Sequence, residues 1–151
     1  MSSQKNGWQQ HPELGEVKSI TPTEESILTV LYAYLDMGLY NLHVLDKINQ
    51  ANKRVGKREV SPGTFYPTVK RLEADGLIEG FWKEEVLPGV RRRYLKISAF
   101  GVKALTASRQ YRDLLSEGKF GEGEEGLLEP GLFSYIYAFI QIAKRWQLGH
   151  D

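Results

Sequence analysis

The sequence predicts a mainly α-helical chain with one small β-hairpin, and three observations carry that prediction. Two segments open on the cap-then-proline pattern of a helix start, Thr21-Pro22-Thr23-Glu24 and Ser61-Pro62-Gly63-Thr64. Two β-rich runs, Leu77 to Lys83 and Arg91 to Ile97, flank a turn centred on Pro88-Gly89. A last segment, Leu132 to Trp146, is apolar around most of a helical circumference. With 151 residues, 41% of them hydrophobic, the chain has material for one main core with appendages.

The first element is the arm of residues 1–20, where Gly, Pro, Gln and charges mix without periodicity, so a flexible segment is expected with Trp8 as its one docking residue. Residues 21–116 form the main domain. In its first helix Thr21 is the N-cap, Pro22 sits at the first helical position and Glu24 completes a capping box. Ile27, Leu28, Val30, Leu31, Tyr34 and Leu35 make its apolar stripe, and Met37-Gly38 ends it. A second helix follows over about Tyr40 to Ala51 with Leu42, Leu45 and Ile48 inward, then a basic connector from Asn52 to Glu59.

The third helix closes at Gly76, a C′ residue, while its start is open. Ser61 is a good cap but would leave Pro67 inside the helix; a cap at Thr64 would place Pro67 in the first turn, where no N–H is missed. After the hairpin, Ser98 caps a fourth helix to about Leu115, weakened at Gly101. Residues 117–131 are a Gly/Glu-rich linker, with five glycines and four glutamates between Gly118 and Gly131. Residues 132–151 carry the final helix.

Composition narrows function. Cysteine is absent, which removes disulfides, thiolate metal sites and cysteine nucleophiles. No apolar run approaches the roughly 18 residues that span a bilayer, and the start lacks a hydrophobic export signal, so a soluble protein of the cytoplasm without a membrane partner is expected. The three histidines are scattered at His11, His43 and His150, and no Gly-rich phosphate loop occurs, so no catalytic residue, metal or cofactor is assigned and an enzyme is not expected.

Net charge is +1, yet its distribution is uneven. Residues 53–103 hold 12 Lys/Arg against 6 Asp/Glu, while residues 1–52 hold 3 against 6 and residues 104–151 hold 5 against 7. That local basic surface coincides with the order helix, helix, helix, hairpin, helix, which is the order of a winged helix-turn-helix. At about 100° per residue, Phe65, Val69 and Leu72 of the third helix face the core. Gly63, Pro67, Lys70 and Ala74 fall opposite, with Thr64 and Arg71 beside them. The first half of this outer face is small enough to approach a major-groove wall, and its cations reach phosphates or guanine edges. In the return strand, alternation separates Arg91 and Arg93 from Arg92, and one of the three can pair with Glu84 or Glu85 across the hairpin.

Ser61-Pro62-Gly63-Thr64-Phe65-Tyr66-Pro67, Lys70-Arg71-Leu72-Glu73, Gly76-Leu77-Ile78 and Arg92-Arg93-Tyr94-Leu95 before Gly101 resemble the PadR-like transcriptional regulators over about residues 25 to 115. The resemblance implies a winged helix on double-stranded DNA, usually a homodimeric repressor held by its C-terminal helix; in length and layout the chain also resembles a regulator of the circadian clock, and that resemblance implies a clock gene as the target. Leu39-Tyr40-Asn41-Leu42 departs from the family's Leu-Tyr-Gly-Tyr, which leaves a small-molecule effector open. Candidate DNA contacts are Lys57, Arg58, Ser61, Gly63, Thr64, Tyr66, Pro67, Lys70, Arg71, Lys83, Arg91, Arg92 and Arg93, on a pseudo-palindromic operator. Candidate dimer contacts are Phe133, Ile136, Tyr137, Phe139, Ile140, Ala143 and Trp146, because one small domain covers only one face of such an apolar helix. The rival reading, a winged helix used solely for protein interaction, has no need of three successive arginines.

Overall fold

The computed structural model describes residues 6–85, 87–121 and 132–148. The chain divides into two units, Met1–Ser108 and Arg109–Asp151. In the first, β1 (Trp8–His11) and β2 (Gly15–Lys18) pair antiparallel, and α1 (Pro22–Tyr32) follows. A 3-10 turn at Leu35–Met37 leads to the two-residue β3 (Leu39–Tyr40) and α2 (Asn41–Arg54). Next come α3 (Pro62–Ala74), β4 (Ile78–Glu84), β5 (Arg91–Ile97) and α4 (Ala99–Ser116), whose residues from Arg109 belong to the second unit. That unit also holds α5 (Leu132–Leu148).

The start of α1 follows from local chemistry alone. The Thr21 hydroxyl accepts the Glu24 N–H at 3.3 Å and a Glu24 carboxylate oxygen accepts the Thr21 N–H at 3.1 Å, so two backbone donors that a helix start leaves over find partners. Ile27, Leu28 and Leu31 then enter the core beside Val44, Leu45 and Ile48 of α2, Phe65, Val69 and Leu72 of α3, and Leu95 and Ile97 of β5. The central strand of the three-stranded sheet is β5, with β3 on one side and β4 on the other, all antiparallel.

Four expectations need correction. The arm without regular structure is a hairpin over residues 8–18: Val17 is buried, and the Trp8 ring meets Phe100 edge-on with centroids 6.0 Å apart. Tertiary docking supplies what the polar sequence lacks. Leu42 is 42% exposed instead of inward, because it lies about 110° from the centre of the stripe formed by Val44, Leu45 and Ile48. Leu35 leaves the α1 stripe, since the helix has already ended and the residue stands in the 3-10 turn at φ 44°, 55% exposed. Tyr40 belongs to β3, paired with Tyr94, and α2 begins after it. The break between α1 and β3 requires Gly38: its φ of +68° suits glycine, and a Cβ there would meet the Leu95 carbonyl and the Phe81 ring.

The open question at α3 resolves in favour of Ser61, whose hydroxyl accepts the Thr64 N–H at 3.3 Å. Pro67 therefore sits inside the helix. Its ring bears on the carbonyl four residues earlier, and that residue is Gly63, exposed and without a side chain, so the carbonyl can tilt and meet water. Ser98 caps α4 as expected, accepting the Gly101 N–H at 3.1 Å. Gly101 is there for space: a Cβ would collide with the Leu77 carbonyl. Most of the expected linker, residues 122–131, lies outside the described residues.

Candidate nucleic-acid interface

One face of α3 is sealed and the other is open. Phe65, Thr68, Val69 and Leu72 are buried, and the buried Thr68 hydroxyl is satisfied by donating to the Thr64 carbonyl at 2.7 Å. Gly63, Thr64, Tyr66, Pro67, Lys70, Arg71 and Ala74 are exposed. Arg71 donates from Nη2 to the Thr68 hydroxyl at 3.2 Å, which draws its stem along the helix, whereas Lys70 has no ion pair among the described residues. Tyr66 is 39% exposed with its ring edge-on to Phe65 at 5.2 Å. The helix thus presents Gly63, Thr64, Tyr66 and Pro67 on the outer side of its N-terminal half, followed by two cations.

Two asparagines hold the approach to this helix: Asn49, to which the sequence assigned no role, and Asn52, expected to open the basic connector but lying in the last turn of α2, which runs to Arg54. Asn49 of α2 both donates to the Val60 carbonyl at 3.0 Å and accepts the Val60 N–H at 2.8 Å. Asn52 donates to the Arg58 carbonyl at 3.2 Å, and its own carbonyl accepts the Lys57 N–H at 2.8 Å. Backbone groups outside any helix are satisfied in this way, and Lys57 and Arg58 stay exposed beside the start of α3. Asparagines at i and i+3 on a helix followed by a basic connector are the sequence signal for such a brace.

The wing is the β4–β5 hairpin, with Trp82 opposite Arg93, Lys83 opposite Arg92 and Glu84 opposite Arg91. Paired residues share a face, so Arg91 and Arg93 stand on one side with Gly80 and Trp82, and Arg92 stands on the other with Lys83 and Tyr94. The three arginines have different surroundings. Arg93 donates to a Glu73 carboxylate oxygen at 2.7 Å and lies 5.8 Å from the centre of the Trp82 ring. Arg92 lies 4.8 Å over the Tyr40 ring and 3.9 Å from Glu85, the cross-hairpin pairing expected of one of them. Arg91 is exposed and makes no ion pair among the described residues. Lys83 lies 5.1 Å over the Tyr94 ring. The Tyr94 hydroxyl donates to Glu85 at 2.9 Å, and that hydrogen bond to a carboxylate, followed by burial, holds the phenol above its ordinary pKa.

Of the expected dimer contacts, Phe139, Ile140, Ala143 and Trp146 lie exposed on α5, Phe139 at 74% and Trp146 at 68%. The side chains of Phe133, Ile136 and Tyr137 lie outside the described residues. Among the described residues no group of three or more His, Asp or Glu could hold a metal ion, and no helix is long and apolar enough to cross a membrane.

Comparison with known proteins agrees with this geometry. Residues 35–107 match the sequence profile of the transcriptional regulator PadR-like family. The chain is similar to a transcriptional regulator of Mycobacterium tuberculosis, 40% identical over 74 residues that are 49% of this chain and span 66% of that relative. It is also similar to the crystal structure of a PadR-like transcriptional regulator from Bacillus cereus, 28% identical with a TM-score of 0.51, covering 62% of this chain and 82% of the other. A regulator from Clostridium thermocellum, 22% identical with a TM-score of 0.50 over 62% of this chain and 84% of its own, shares the fold. The circadian target finds no support in these comparisons. The relatives are transcriptional regulators, a class that is not enzymatic in general. The exposed face of α3, the hairpin wing and the profile match coincide on one stretch of chain, residues 35–107.

Proposed function

We propose that the chain is a sequence-specific regulator that binds double-stranded DNA as a homodimer and represses transcription. The observation that carries the reading is α3: Phe65, Val69 and Leu72 are consumed by the core, and what remains outside is an N-terminal half of Gly63, Thr64, Tyr66 and Pro67 with Lys70 and Arg71 beyond it. In this reading α3 enters the major groove. Gly63, Thr64, Tyr66 and Pro67 lie against the groove wall, while Lys70 and Arg71 reach base edges or phosphates. Ser61 turns the start of the helix toward a phosphate, and Lys57 and Arg58 flank it on the backbone. The wing lies along the adjoining backbone with Lys83 and the exposed Arg91.

The dimer is supported by the second unit. Tyr111, Leu114, Leu115, Phe120, Phe139, Ile140, Ile142 and Trp146 are all substantially exposed in the single chain, more apolar surface than a monomer keeps in water. Two copies related by a two-fold axis would place two α3 helices on half-sites about one helical turn apart. Repression then follows from occupancy of a site that polymerase needs.

The test is a selection from random duplex oligonucleotides. A recovered pseudo-palindrome with half-sites roughly 10 base pairs apart supports the reading. Failure to enrich any sequence, together with no salt-dependent binding to duplex DNA, would make the winged helix a protein-interaction module instead.

A further inference from the structure

We propose that Arg93 is a positioning residue and not a DNA contact: held between Glu73 of α3, the Trp82 ring and the bare backbone of Gly80, it fixes the wing to the recognition helix and leaves Arg91 as the arginine that meets phosphate. The functional half of this inference rests on the DNA-binding reading, whereas the clamp is a property of the free protein.

Three independent features converge on the guanidinium. Its Nη2 donates to Glu73 Oε2 at 2.7 Å, a charge-assisted hydrogen bond between a strand and the last turn of α3. The Trp82 ring, its cross-strand partner, covers it at 5.8 Å, and arginine is the cation that stacks in this manner. The third feature is Gly80. Its φ is not in the left-handed region, so the backbone of β4 would accept any residue, yet a Cβ there would collide with the guanidinium. The strand is bare where Arg93 crosses it. By contrast Arg91, two residues along the same face, has no such seat and no ion pair among the described residues.

A wing and a recognition helix touch different parts of one duplex, so selectivity depends on the angle between them. Affinity for any phosphate backbone does not. A clamp therefore tunes discrimination and leaves the count of phosphate contacts unchanged, which separates it from a direct contact.

The experiment compares Arg93→Gln, Glu73→Gln, Gly80→Ala, Arg91→Gln and the charge exchange Glu73→Arg with Arg93→Glu in the full chain. Amide hydrogen exchange of residues 78–84 and 91–97 should quicken in the first three relative to α1, and the exchange variant should restore part of the protection. The selected duplex and a random duplex are then titrated against salt. Arg93→Gln should reduce the preference for the selected duplex about tenfold with the salt slope on random DNA unchanged, and Arg91→Gln should lower that slope by about 0.9. Unchanged wing exchange in both Arg93→Gln and Glu73→Gln overturns the clamp. A slope lowered by about 0.9 in Arg93→Gln with preference retained makes it a phosphate contact and overturns the proposal too. Quickened wing exchange in a protein that never binds duplex DNA upholds the clamp and refutes the DNA reading alone.

Discussion

At the scale of single residues, Lys70 and Arg71 sit on the exposed face of α3 while its buried face holds the fold, so function and stability separate cleanly there. Replacing either by Ala should weaken binding to the selected duplex by about 1–3 kcal/mol with the urea midpoint unchanged. Unaltered affinity in both variants would remove α3 from the groove. Tyr94 offers a prediction in pH. Its hydrogen bond to Glu85 raises the phenol in the folded state above the ordinary value of about 10, so the stability it lends is complete below that pH and is lost as pH climbs through the folded value. Glu85→Gln should lower the pH at which the folded protein's phenolate absorbance from Tyr94 develops, and flatten the loss of stability above about pH 10. An identical alkaline limb in wild type and variant would contradict it. Much of the candidate site was legible in the sequence because helical and strand periodicity decide which residues face outward. What those residues then touch was not: Glu73 and Arg93 are 20 positions apart, and the packing of β4 beside α3, with β5 paired to β4, makes them neighbours.

At the scale of elements, the chain shows where local chemistry suffices and where it does not. The α1 start was readable from four residues because a capping box is satisfied within one turn. The start of α3 was not, since the choice between two caps turned on whether Gly63 could yield to the Pro67 ring. The hairpin of β1 and β2 escaped notice for a different reason. It has no alternating pattern, and it is held by contacts with distant residues: Trp8 on Phe100, and Lys18 at 3.9 Å from Asp75. Its stability is therefore borrowed from the domain beneath it. Trp8→Ala should lower the unfolding free energy by about 1–3 kcal/mol in urea titration, and amide exchange over residues 8–18 should quicken before that of α1. A hairpin equally protected in the variant would show that it stands on its own pairing.

At the scale of the whole molecule, the proposed operator demands two copies, because one recognition helix reads too few base pairs to single out a site in a genome. Phe139→Asp with Ile140→Asp should yield a monomer in sedimentation that binds the selected duplex at least about a hundredfold more weakly, given that two half-sites multiply discrimination. Full affinity in a soluble monomeric variant would dissociate dimerisation from recognition. The three tryptophans fall one to each working part of the chain: Trp8 on the N-terminal hairpin against Phe100, Trp82 on the wing beside Arg93, and Trp146 on α5. The protein consequently carries its own optical gauges. With two of the three changed to Phe in turn, the remaining indole emission would read docking of the hairpin, arrival of DNA at the wing in the proposed complex or assembly of the proposed dimer separately, without any attached dye.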